Sequence, residues 1–214
     1  GTSSEEFYQI YHKFGYDQAV SRASDSLSYV YRLDEKYWLM MLDSCICEPV
    51  HETGGKLSEE TVAWMKTQLE EAKKQGVTVI PVSHHNLLDE STLYPEECTI
   101  ENTKEVTALL ETYGVPVYLS GHLHLQRIKK HTSNLNTPGG YGIREIVTSP
   151  LPMAPCQYSI LNWQADGSLS YHTKKVDIAG WAQRYGEEDE NLLNFDAYAD
   201  QFLVDVISEQ AFKD

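Results

Sequence analysis

The 214-residue sequence lacks any apolar run near the ~18 consecutive residues that a membrane-spanning helix requires. Basic residues are scarce, with 17 Lys and Arg against 32 Asp and Glu for a formal net charge of -15. Such a surface repels polyanions. The few basic runs, Lys73-Lys74, Lys174-Lys175 and Lys129-Lys130 with Arg127 nearby, read as solvated faces, so nucleic acid is not an expected partner. Cysteine is sparse too: Cys45, Cys47, Cys98 and Cys156 form neither a Cys-x-x-Cys redox spacing nor a two-knuckle zinc pattern. They do not assign a compartment. The opening Gly1-Thr2-Ser3-Ser4 has no signal-peptide architecture, but a leading Gly without Met suggests a trimmed chain, which leaves the native beginning open. Apolar residues are not lacking: at 41% they predict a folded domain rather than a disordered chain.

Periodicity and capping residues then divide the chain. Ser4, followed by Glu5 and Glu6, marks the start of a short amphipathic helix carrying Phe7, Ile10, Tyr11 and Phe14. Leu27 to Leu33 and Tyr37 to Leu42 are rich in strand formers and flank Asp34-Glu35-Lys36, the pattern of a hairpin. Ser58 caps a helix to about Gln75, stopped by Gly76, with Val62, Met65, Leu69 and Ala72 as its buried stripe. Val77 to Val82 reads as a strand buried on both faces, and a helix from Thr103 to Tyr113 precedes a second such strand from Val115 to Leu119. Beyond His124 strands dominate: Leu125 to His131, Ile143 to Thr148, Tyr158 to Trp163 and Leu169 to Val176. The last two are joined by the Ala165-Asp166-Gly167-Ser168 turn. Asp177 caps a further helix containing Trp181, and an acidic helical region runs from about Leu192 to Phe212. Gly139-Gly140-Tyr141-Gly142 lacks the context of a phosphate loop and reads as a flexible connection.

The chemistry concentrates where the two buried strands end. Ser83-His84-His85-Asn86 follows the first and Gly121-His122-Leu123-His124 the second, and open α/β sheets bind ligands at the carboxyl ends of their strands. Neutral imidazole ligates zinc, iron and related ions, and alternation along an extended segment aims His122 and His124 the same way. Gly121 permits a sharp turn and close backbone approach. Asp43 also ends a predicted strand, where a carboxylate ordinarily accepts local backbone hydrogen bonds. A cupin-type site is disfavoured, because the Glu it needs about four residues after His-x-His falls at Ile128.

A strand-end His followed later by Gly-His-x-His resembles the closing motifs of the calcineurin-like metallophosphoesterase superfamily. Asn86-Leu87-Leu88, Leu119-Ser120 and Thr148-Ser149-Pro150-Leu151 resemble a bacterial, surface-associated, lipoprotein-like branch of it. The resemblance implies that His84 and His122 bind one divalent metal and His124 the other. His85 is placed near the substrate or behind the ligands. It further implies two manganese, iron or zinc ions and hydrolysis of phosphate mono- or diesters by a metal-bridging hydroxide, with the substrate itself left open.

The family's earlier motifs, Asp-x-His, Gly-Asp-x-x-Asp and Gly-Asn-His-Asp or -Glu, do not occur in this sequence. Hard oxygen ligands normally balance the charge of two divalent ions. The expectation is therefore an α/β chain forming the C-terminal half of a four-layer α/β/β/α sandwich with mixed sheets, residues 1–176 in the catalytic domain and 177–214 a helical extension. Alone it is expected to be inactive. By resemblance only, its place is extracellular or at a bacterial cell surface, any membrane anchor lying in a missing N-terminal segment; oligomeric state is left open. The alternative is a non-catalytic binding or scaffold domain retaining a partial metal site.

Overall fold

A computed structural model describes residues 2–47, 50–90, 97–131 and 142–211. The expected 139–141 connection and the last residues of the acidic helical region lie outside the described residues. The described part is a mixed α/β structure whose main feature is a seven-stranded sheet. No helix among the described residues is long and apolar enough to cross a membrane. By contacts the chain separates into two compact units, residues 1–123 with 127–147, and residues 124–126 with 148–214.

In the first unit, α1 (Ser4–Tyr11) is capped by Ser3 rather than Ser4. Only Ser3 has a Glu three residues on, and Glu6 returns the bond to the Ser3 amide at 2.9 Å, a capping box. None of its residues is buried. After a 3-10 turn, Tyr16–Gln18, comes β1 (Ala19–Arg22), a four-residue strand with an irregular register against β2 (Tyr29–Arg32). β2 and β3 (Tyr37–Met41) form the expected hairpin, its turn set by Asp34, whose carboxylate accepts from the amides of Lys36 at 2.7 Å and Tyr37 at 2.8 Å. α2 (Glu59–Gln75) begins at Ser58, whose hydroxyl accepts from the Thr61 amide at 2.9 Å, and ends at Gly76 with φ 69°, a left-handed stop that glycine meets without strain.

β4 (Thr78–Val82), α3 (Thr103–Thr112) and β5 (Val117–Ser120) follow, then β6 (Arg127–Lys130) and β7 (Arg144–Val147). The strand order is β1-β2-β3-β4-β5-β7-β6. β3, β4, β5 and β7 are parallel neighbours, flanked by antiparallel strands. The helical crossovers α2 and α3 return β4 and β5 in the direction of β3, so β3, β4 and β5 all end along one edge. Side-chain alternation puts Val30, Trp38, Met40, Val79 and Tyr118 on one face, where they form a core with Met65, Leu69 and Ala72 of α2 and Val106 and Leu110 of α3.

The second unit holds a two-stranded sheet of β8 (Gln157–Trp163) and β9 (Leu169–Lys175), in register along its whole length. It also holds α4 (Ile178–Tyr185), α5 (Glu190–Leu193) and α6 (Phe195–Ala211). Asp177 caps α4 through the Gly180 amide at 2.9 Å. Contacts group this hairpin with the helices in one unit. The Val176 amide donates to Cys156 O at 2.8 Å and Lys175 reaches Asp196 of α6 at 2.9 Å.

Candidate active site

Parallel pairing of Val82 with Leu119 sets the two histidine segments side by side. Backbone bonds carry the pairing past the strands, from the Ser83 amide to Leu119 O and from the Gly121 amide to His84 O, both at 3.0 Å. The chain then turns sharply at His122, which has φ 62°, with the Leu123 amide bonded to Gly121 O at 2.7 Å. Left-handed backbone is uncommon for a residue with a Cβ and clusters at functional sites. This turn brings His122 Nδ1 to 2.9 Å from His84 Nε2.

His85 has a different part. Its ring is buried, Nδ1 lying 2.9 Å from Ser44 Oγ and Nε2 2.9 Å from Thr53 O. A carbonyl only accepts, so Nε2 carries the hydrogen and Nδ1 accepts from the Ser44 hydroxyl. With both nitrogens engaged, His85 is a floor beneath the site: its ring centroid lies 4.6 Å from that of His122 and 5.2 Å from that of His84. Gly55 leaves room for it, since a Cβ there would stand 2.4 Å from the imidazole. His124, with φ 55°, belongs to the second unit.

Asp43 accepts from the Leu27 amide at 3.2 Å and the Cys45 amide at 3.3 Å, the local role expected of it. It lines a cleft of about 560 Å³ together with Phe7, Tyr11, Tyr29, Met41 and His84.

The sequence reading missed Glu145. It is fully buried on β7, its Oε1 accepting from the Leu87 amide at 2.7 Å and the Ser120 hydroxyl at 2.6 Å, and its Oε2 from the Leu88 amide at 2.6 Å. Burial pushes its carboxyl up to about 7, against the lowering effect of these three donors, and nearby Glu90 raises it further. Glu90 is itself buried, raised chiefly by desolvation, and lies 3.3 Å from Arg127. A signal was present: Glu145 alternates with Ile143 and Val147, so strand period places an acid on the buried face.

Two imidazole nitrogens 2.9 Å apart can both reach one ion at the usual distance of about 2.0–2.1 Å. Among the described residues no group of three or more His, Cys, Asp or Glu side chains is arranged to hold an ion.

A family model, the C-terminal domain of cyclic nucleotide phosphodiesterase, matches residues 177–214. Among solved structures, the chain is similar to a dimetal phosphatase from Danio rerio at 13% identity and a TM-score of 0.45, over 60% of this chain and 52% of that one. The chain thus spans about half the length of that relative. No curated protein matches.

Proposed function

We propose that this chain supplies the C-terminal half of a four-layer metallophosphoesterase, a metal-dependent hydrolase of phosphate mono- or diesters that uses two divalent ions. The observation that carries the reading is the approach of His122 Nδ1 to His84 Nε2 at 2.9 Å, at the adjoining ends of parallel strands where ligands bind. In this reading His84 and His122 hold one ion, and His124 serves the other. Carboxylates from outside this sequence complete both sites. When bound, such ions polarise phosphoryl oxygens and acidify a water. The protein's own part is orientation. His84 and His122 present their nitrogens to one point, and buried His85 lies against both rings.

Residues 177–214, where the phosphodiesterase family model matches, would form a C-terminal extension to a catalytic domain of residues 1–176. The Asn86-Leu87-Leu88 and Thr148-Ser149-Pro150-Leu151 segments support membership of a bacterial surface-associated branch, and with it a place outside the cytoplasm. A scaffold retaining a partial site is the second reading, favoured by the absence, among the described residues, of a third converging ligand.

Two measurements test the proposal. Calorimetry with Zn2+ or Mn2+ should give binding that His84→Ala and His122→Ala each remove, and uptake unaffected by both variants would end the metal assignment. The gene sequence upstream of Gly1 separates enzyme from scaffold: Asp-x-His and Gly-Asn-His motifs there support the enzyme, and their absence supports the scaffold.

A further inference from the structure

The phosphoesterase reading gives Glu145 no role, yet its three hydrogen bonds all leave β7 for the two histidine segments. Leu87 and Leu88 lie three and four residues after His84, and Ser120 lies two before His122. Asn86 ties the same segments a second time, its Nδ2 donating to Ser120 Oγ at 2.9 Å and to Gly121 O at 3.2 Å. The Ser120 hydroxyl thereby bridges the two, donating to Glu145 and accepting from Asn86.

Backbone pairing joins these ends by only two bonds, from the Ser83 amide to Leu119 O and from the Gly121 amide to His84 O. β4 and β5 are in register at one pair, Val82 with Leu119, whereas β3 and β4 share five pairs and β5 and β7 share four. Past Ser83 and Ser120 the backbone is irregular, and the Leu87 and Leu88 amides point at a carboxylate rather than along a ladder. A buried amide needs such a partner.

We infer that Glu145 is a positioning residue: by binding Leu87, Leu88 and Ser120 together it holds the loops carrying His84 and His122 at the spacing that lets their imidazoles meet. The inference rests on the metal-site reading only for what the imidazole pair is used for. Glu145 acts through the backbone from which both histidines hang. A glutamine in its place has one acceptor oxygen, and its amide nitrogen would confront a donor.

The test compares Glu145→Gln and Ser120→Ala with Leu69→Ala, a core substitution on α2 far from the network in sequence and role. The readouts are Zn2+ affinity by calorimetry and, without metal, the imidazole nitrogen resonances that report the His84–His122 hydrogen bond. Glu145→Gln should lower Zn2+ affinity about ten-fold or more and abolish the paired-imidazole signature. Leu69→Ala should lower the melting temperature and leave both readouts alone. Should Glu145→Gln fail to fold, Ser120→Ala, which keeps the carboxylate and both backbone amides, carries the comparison and should weaken the same two readouts. If the variants lose stability while the imidazole signature persists and Zn2+ affinity stays within about two-fold, Glu145 is merely structural and the inference fails. Should the wild type take up no Zn2+, the metal reading falls, and the imidazole signature alone still decides the role of Glu145.

Discussion

His122 Nδ1 and His84 Nε2 lie 2.9 Å apart across 38 residues of sequence. A hydrogen bond between two imidazoles needs one nitrogen protonated and the other bare, so a cation arriving between them displaces the shared hydrogen. Metal uptake should therefore break the His84–His122 hydrogen bond, the displaced hydrogen moving to the other nitrogen of its own imidazole. Imidazole nitrogen resonances followed through a Zn2+ titration measure the change; Zn2+ uptake that leaves the hydrogen-bond signature intact would separate the pair from the metal.

His122 should tolerate glycine better than alanine. Its φ of 62° costs a residue with a Cβ on the order of 1 kcal/mol. His122→Gly should thus be the more stable variant by about that amount, while both lose the metal. Urea midpoints of the two variants check it, and equal midpoints would mean that the turn relaxes.

Gly55→Ala should destabilise the fold by about 1–3 kcal/mol. The new Cβ would stand 2.4 Å from a His85 ring that Ser44 and Thr53 hold on both sides. Chemical denaturation measures the loss. An unchanged midpoint would show that the His85 floor is loose.

Glu145 makes stability depend on pH. Its carboxyl keeps its proton up to about 7 in the fold, whereas in the unfolded chain it ionises near 4.5. Between these values the folded state binds more protons, so its contribution is fully present below about 4.5 and is lost as pH rises to about 7. Arg127 and Lys129 favour the ionised form of neighbouring Glu90, whose charge in turn helps to hold the proton on Glu145. Denaturation midpoints at pH 5 and pH 8 should differ more in the wild type than in Glu145→Gln, and parallel profiles would contradict the assignment.

The chain by itself should hydrolyse p-nitrophenyl phosphate and its bis-ester negligibly with manganese, zinc or iron. Neutral imidazoles alone compensate divalent charge poorly. Robust metal-dependent turnover that His122→Ala abolishes would overturn the view that half of the site lies elsewhere.

Elements with strong local signals were legible in the sequence. Ser58 and Gly76 delimit α2 as expected, Asp34 sets the β2–β3 turn, and Asp177 caps α4. Ser4 begins α1 as expected, with Ser3 as its cap, but the four residues of β1 were too few and too polar to register as a strand. The amphipathic helix expected to carry Phe7, Tyr11 and Phe14 ends at Tyr11, and the three side chains remain 39%, 44% and 76% exposed. Periodicity reports that one side of a helix is apolar, not that something covers it.

The sequence by itself determined that buried strands end in histidines along one edge of an α/β sheet, because strand period, capping and turn chemistry act over a few residues. Tertiary structure alone decided what each histidine does. His84 and His122 face one another, while His85, adjacent to His84 in the chain, is buried with both nitrogens engaged by Ser44 and Thr53. Ring orientation and the partners of a buried acid such as Glu145 depend on groups brought together from distant segments. No local rule encodes that geometry.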